Sequence, residues 1–167
     1  INGDNSAVLL DTNSNISATG NNVVAVSLDG QYTGSLPGGF MSDTEAENSG
    51  NITLKDNSAG LYGKNGTRLL NTGNITLGNG SLGMKTDGTG SALINTGVIT
   101  ADVHGKESIA IYSESSALSV ANAGSSIKAL DGAFALTAVN NGSIKYGGNY
   151  IEAGQKSLMF YLDNTSD

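Results

Sequence analysis

Cysteine and tryptophan are missing from this 167-residue chain, and proline occurs once, at Pro37. Without cysteine there is no disulfide framework and no thiolate metal site. That composition fits a cytosolic chain. It fits equally a chain exported unfolded through a narrow pore, where an early disulfide would lock it prematurely. Charge is also scarce, at 14% of residues against about 25% in average usage. One arginine (Arg68) and seven scattered lysines face 15 acids, for a net charge of −7. Nucleic acid is excluded as a partner, because phosphate contacts need clustered Lys and Arg. An anionic membrane surface is disfavoured on the same ground. No apolar run approaches the roughly 20 residues of a membrane-spanning helix, so no membrane insertion by this segment is expected. A signal-peptide pattern is absent from the sequence as it stands. Aromatic residues make up only 5%, which leaves a core to Ile, Leu, Val and Ala.

What replaces them is Gly (24 residues), Asn, Ser and Thr, all turn formers. They are arranged in a repeat. Asn-Ser-Gly-Asn-Ile-Thr-Leu at 48–54 returns as Asn-Thr-Gly-Asn-Ile-Thr-Leu at 71–77 and as Asn-Thr-Gly-Val-Ile-Thr-Ala at 95–101. Weaker copies start at Asn122 and Asn140. The steps are 23 (71−48), 24 (95−71), 27 (122−95) and 18 (140−122). A period near twenty residues, built of short β-prone runs closed by Asn and Gly, is a solenoid signature. Ile1 falls within what reads as one repeat and Asp167 just after another, so residues 1–167 are expected to be a single segment of a longer solenoid.

Each repeat divides into three runs of strand length. In the best copy these are Asn74–Leu77, Ser81–Lys85 and Ser91–Ile94, separated by Gly-Asn-Gly and Asp-Gly-Thr-Gly. Period-two alternation puts Ile75 and Leu77 on one face and Asn74 and Thr76 on the other. The runs are too short for helices, and their Gly and Asn punctuation would break one. The expected fold is all-β: a right-handed parallel β-helix with three short strands per coil and about six to seven coils. One coil cannot bury its inner face alone, but stacked coils can. The expected inward ladders are Ile52, Ile75, Ile99, Ile127 and Ile144; Leu54, Leu77 and Ala101; Leu61, Met84 and Ile109 or Ile111; and Leu69, Leu93 and Leu118. The repeat-opening asparagines have two structural readings, an inward amide ladder bonded along the stack or residues that tolerate a left-handed turn.

One stretch breaks the period. Residues 29–47 hold the only proline, the larger apolar residues Tyr32, Leu36, Phe40 and Met41, and the acids Asp43, Glu45 and Glu47. Insertions in solenoids project from one face and often carry binding. This stretch is the candidate partner-binding loop; a long coil with a loose turn is the alternative.

Residues with catalytic or metal-binding chemistry are sparse. His104 is the only histidine, and without cysteine it makes a weak case for a metal site. Asp56, Asp87, Asp102 and Asp131 occur one per coil and read as solvated turn carboxylates, in a line along one corner. Glycoside hydrolysis needs two carboxylates facing one cleft, and activated serine needs a base. No catalytic residue, metal site or cofactor is therefore expected, and the chain is expected not to be an enzyme. A carbohydrate-active β-helix enzyme is the alternative, requiring two acids and a base on one wall. A rank of Thr53, Thr76 and Thr100 faces outward but decays to Lys128 and Lys145, too short for an ice-binding array.

The stretches 48–63 (Asn-Ser-Gly-Asn-Ile-Thr-Leu-Lys-Asp-Asn-Ser-Ala-Gly-Leu-Tyr-Gly) and 71–85 resemble the passenger repeats of Gram-negative type V autotransporters. They are most similar to those of the large fusobacterial surface adhesins. The resemblance implies a right-handed β-helical stalk, exported through an outer-membrane barrel that this chain does not contain and displayed at the cell surface. Parallel crossovers are right-handed almost without exception, in agreement. It further implies adhesion, with a host-cell or bacterial surface protein or glycan as partner, and a purely structural spacer as the third possibility.

Overall fold

The computed structural model describes residues 7–30, 45–101, 107–115, 117–121 and 123–166. Among these every regular element is a β-strand, and the strands fall into three sheets of six. The first sheet holds β1 (Val8–Leu10), β4 (Ala46–Asn48), β7 (Arg68–Asn71), β10 (Ala92–Asn95), β13 (Leu118–Ala121) and β16 (Ser143–Tyr146). The second holds β2 (Asn15–Ser17), β5 (Asn51–Thr53), β8 (Asn74–Leu77), β11 (Val98–Ala101), β14 (Ser126–Ala129) and β17 (Tyr150–Ala153). The third holds β3 (Val24–Asp29), β6 (Ala59–Lys64), β9 (Leu82–Asp87), β12 (Ile109–Glu114), β15 (Phe134–Val139) and β18 (Leu158–Leu162). The chain visits the sheets in strict rotation, and each strand pairs in parallel with the strand three places on. The result is a three-sided parallel β-solenoid of six rungs.

In-register stacking builds the core. Ile16, Ile52, Ile75, Ile99, Ile127 and Ile151 oppose one another along the second sheet. On the third sheet Val26, Leu61, Met84, Ile111, Leu136 and Phe160 do the same. Leu61, Met84, Ile99 and Leu136 are fully buried, and each such side chain contributes about 1.5–3 kcal/mol relative to exposure. Two expected ladder members are corrected. Ile144 belongs to the first sheet, opposite Ser119, and Ile151 takes its place in the isoleucine ladder. The first-sheet ladder passes from Leu69 and Leu93 to Ser119, while Leu118 is opposite Ala92. Ser119 is tolerated inside because its hydroxyl meets that of Thr86 at 3.3 Å.

The Ile144 error comes from the last repeat. Asn140 and Asn141 do not open a coil; they occupy a left-handed turn (φ 53° and 65°) at the corner between β15 and β16. The true rung spacing there is set by Asn95, Ala121 and Tyr146, which oppose one another. Asn48, Asn71 and Asn95, by contrast, form the inward amide ladder. Asn48 Nδ2 donates to Asn71 Oδ1 at 2.8 Å, Asn71 Nδ2 to Asn95 Oδ1 at 2.7 Å, and Asn95 Nδ2 to Ser125 Oγ at 2.6 Å. All three asparagines are completely buried. Asn122 lies outside the described residues.

The corner after each ladder asparagine is only two residues long, Thr72-Gly73 and Thr96-Gly97. Both corner amides bond back to the ladder asparagine of the preceding rung, Thr72 N to Asn48 O at 2.8 Å and Gly73 N to Asn48 O at 3.0 Å. A Cβ on Gly73 would run into the Gly50 carbonyl oxygen, and one on Gly97 into that of Gly73. The corner therefore stacks backbone on backbone, which leaves no room for a side chain.

Of the expected excursion at 29–47, residues 31–44 lie outside the described residues and both ends belong to strands. Asp29 closes β3, and Ala46 and Glu47 already belong to β4. The connection from β3 to β4 spans 30–45, where the same corner takes 65–67 between β6 and β7.

Candidate functional site

The third sheet has the longest strands, six residues in all but β18. Its outward face therefore carries three parallel columns. One edge column is apolar: Val24, Ala59, Leu82, Ile109, Phe134 and Leu158. The middle column runs Ser27, Tyr62, Lys85, Tyr112, Thr137 and Tyr161. The third is charged, with Asp29, Lys64, Asp87 and Glu114 followed by Val139.

Electrostatics concentrate at the centre of this face. The Lys85 ammonium lies 5.5 Å from the Tyr62 ring centroid and 4.9 Å from that of Tyr112. It also contacts Glu114 Oε2 at 2.8 Å. Burial works against the Lys85 charge, yet the Glu114 bond and its charge outweigh it and hold the ammonium above the ordinary lysine range. Tyr112 is pushed up by burial first and by Glu114 next, with Lys85 opposing. Along the charged column Lys64 Nζ meets Asp29 Oδ2 at 2.9 Å. That contact raises Lys64 and is the first cause lowering the Asp29 carboxyl, an Asn65 amide being the second. Beyond the cluster, Ile109, Tyr112, Phe134, Thr137, Val139 and Tyr161 line an apolar groove of about 260 Å³.

The expected loop fares differently. Tyr32, Leu36, Phe40, Met41 and Asp43 lie outside the described residues, as do Asp102 and His104. Glu45 and Glu47 are buried, a correction to their reading as partner-facing acids. Glu45 Oε2 accepts the Arg68 amide at 2.7 Å, and Glu45 Oε1 is 3.6 Å from the Arg68 guanidinium. A carboxylate so placed holds two rungs together and is unavailable to a partner.

The acids expected along one corner divide between two. Asp56 and Asp131 occupy the corner between second and third sheets, and Asp87 ends β9 at the next corner. Asp56 Oδ1 is engaged by the Asn79 amide at 2.9 Å. Among the described residues, the hollow beside it, about 430 Å³ between Leu54 and Asn79, brings no second acid to it. No group of three or more potential metal ligands occurs among the described residues. The outward threonine rank on the second sheet continues from Thr100 to Lys128 and then Glu152; Lys145 stands on the first sheet. Beside that rank the exposed Asn15, Asn51 and Asn74 bond to one another in a second ladder.

The Tyr62–Lys85–Tyr112 column was legible in principle. It follows the units Gly60-Leu61-Tyr62, Gly83-Met84-Lys85 and Ala110-Ile111-Tyr112, each a small residue, an apolar one and a long side chain. Reading each unit only for its inward residue hides the outward one.

The family model of the BigA third pectate lyase-like domain matches residues 1–109, which take in the first four strands of the first, second and third sheets up to the start of β12. The chain belongs to this family. BigA-type domains are pectate lyase-like β-helix domains of bacterial surface proteins, in accord with the stacked rungs seen here. No curated protein and no solved structure matches the chain.

Proposed function

We propose that this BigA-type domain is an adhesive segment of a bacterial surface protein, a rigid β-helical spacer whose third sheet serves as a binding wall. The reading extends to a type V autotransporter passenger of the large fusobacterial kind, anchored through a separate barrel and acting in virulence. Its partner is a host-cell or bacterial surface protein or glycan. Further β-helix coils are proposed to continue the stack beyond β18. In support, Phe160 and Leu162 are about half exposed while the residues they oppose, Leu136 and Ala138, are fully buried.

The observation that carries this reading is a filled prism with its chemistry on the outside. The interior is occupied by the stacked aliphatic and asparagine ladders. Among the described residues four ion pairs, Lys64–Asp29, Arg68–Glu45, Lys85–Glu114 and Lys128–Glu152, each join neighbouring rungs. Such pairing supports a non-catalytic role, because a general acid or base must be free to exchange its proton with substrate.

The test is attachment of beads coated with the chain to cultured host cells and to other bacteria. Adhesion that soluble chain competes away is the expected result. Beads that bind neither would reduce the domain to a spacer. Release of unsaturated uronides from pectate would establish the enzymatic alternative instead.

A further inference from the structure

The outward middle column of the third sheet contains the same arrangement twice, filled once. In the first instance Tyr62 and Tyr112 stand two rungs apart, roughly 9.6 Å at ~4.8 Å per rung, with Lys85 between them. The lysine stem occupies the gap, its ammonium faces both rings, and Glu114, two residues beyond Tyr112, binds it at 2.8 Å. In the second instance Tyr112 and Tyr161 again stand two rungs apart, with Thr137 between them. Threonine is too short to fill the gap, and the groove of about 260 Å³ opens there. Two residues beyond Tyr161 comes an acid again, Asp163.

Two features bear on the occupant of the second gap, one at its floor and one, Asp163, beside the residues that line the groove. The Thr137 side chain lies at its floor, 4% exposed, and its hydroxyl has no hydrogen-bond partner. A buried hydroxyl left so costs stability unless a ligand supplies the partner. Asp163 is fixed in its ionised form. Asn140 N donates to its Oδ2 at 2.7 Å, and Ser166 and Thr165 donate to its Oδ1 at 2.7–3.0 Å. Apolar walls suit a methylene stem, and aromatic faces with a terminal carboxylate suit the charged head.

The geometry points to a docking site for a lysine side chain of a partner protein, held between Tyr112 and Tyr161 with its ammonium donating to the Thr137 hydroxyl on the side of Asp163. The net charge of −7 favours the approach of a basic partner surface. This inference names the partner chemistry of the proposed binding wall and rests on that reading.

The probe is the peptide acetyl-Gly-Gly-Lys-Gly-Gly-amide, titrated into isotopically labelled protein, with its norleucine counterpart as the uncharged isostere. Ring and methyl resonances of Tyr112, Tyr161 and Thr137 are followed. Saturable shifts with a dissociation constant of order 1 mM are expected. Norleucine should bind at least about tenfold more weakly, and the lysine preference should shrink with added salt. Thr137→Lys carries its own occupant, as Lys85 does in the first gap. It should abolish the peptide shifts while leaving the melting temperature equal or higher. Tyr161→Ala should abolish them as well. Equal binding of the norleucine peptide, or peptide binding that survives Thr137→Lys, overturns the assignment. Beads that still attach to cells when no lysine-specific shift exists would sink the slot and spare the adhesive reading. A lysine-specific shift in a chain that attaches to nothing would do the reverse.

Discussion

Two asparagines three residues apart make nearly the same hydrogen bond in opposite surroundings, and their truncation separates burial from bonding. Asn71 is fully buried; its Nδ2 bonds Asn95 Oδ1 at 2.7 Å and Gly73 O at 3.2 Å, and its Oδ1 accepts from Asn48 at 2.8 Å. Asn74 is exposed, and its Nδ2 bonds Asn51 Oδ1 at 2.9 Å. In Asn71→Ala, Asn95 Oδ1 loses its donor, and Asn48 Nδ2 keeps only the weak Gly50 carbonyl at 3.4 Å. Each stranded buried group costs about 1–3 kcal/mol, so the variant should lose about 2–5 kcal/mol, the two terms being coupled. Asn74→Ala strands nothing, since water reaches both partners, and should fall within about 0.5 kcal/mol of the parent. At about 2–4 °C per kcal/mol for a chain of this size, Asn71→Ala should melt roughly 4–20 °C lower. Asn74→Ala should melt within about 2 °C of the parent. Urea unfolding followed by far-ultraviolet circular dichroism gives the same comparison through the midpoint, provided the slope is unchanged. Equal losses in the two variants, or a loss below about 1 kcal/mol for Asn71→Ala, would refute the claim that burial makes the inner ladder matter.

Gly73→Ala should cost about 1–3 kcal/mol or prevent folding, because its Cβ meets the Gly50 carbonyl inside a backbone stack. Gly20→Ala, with no atom within 4 Å of the new Cβ, should be neutral in the same urea assay. The Asp163 carboxyl is held far below the usual carboxylate range, first by the Asn140 amide and then by the Ser166 hydroxyl. A depressed folded value means that its contribution to stability is complete above the unfolded value of about 3.9 and disappears as pH falls through the folded one. Its carboxyl carbon shift should therefore show the ionised form at about pH 3, where unperturbed aspartates are mostly protonated; a midpoint near 4 would remove the fixed anion from the argument.

How much of this could be read beforehand depended on whether a column was homogeneous. Ile52, Ile75, Ile99 and Ile127 stack in register, and an identical residue in every repeat exposes the period directly. The first-sheet wall could not be followed beyond Leu93, because Ser119 replaces an aliphatic residue and is accommodated only by a hydroxyl partner from another sheet. β17 escaped notice because Tyr150–Ala153 carries no asparagine-glycine opening, while Asn140-Asn141-Gly142 mimics one at a different corner. Glu45 and Glu47 read as solvent-facing acids by composition; only a three-dimensional register brings Arg68 onto Glu45. The outer wall was hidden for another reason. Tyr62, Lys85, Tyr112, Thr137 and Tyr161 differ chemically, and their relation exists only once the rungs are stacked.

That difference between inner and outer columns bears on which side of the prism can recognise a partner. Some of the second sheet's outward residues bond one another, through the Asn15–Asn51–Asn74 amides and the Lys128–Glu152 pair. The first sheet offers little free surface in its early rungs, since Glu47 and Leu70 are buried although they alternate with the inward Ala46 and Leu69. The third sheet alone has strands long enough for three outward columns, and its composition changes from rung to rung. A uniform column presents the same chemistry at every ~4.8 Å step, so a ligand finds many equivalent registers and binds none of them uniquely. A column that alternates large and small, charged and apolar, has one register for a given side chain. Lys85 occupies one such position from within the chain, and the Thr137 step two rungs on repeats its flanking tyrosine with the internal cation removed. Specificity on this solenoid therefore follows from breaking the repeat on one face while keeping it on the inside.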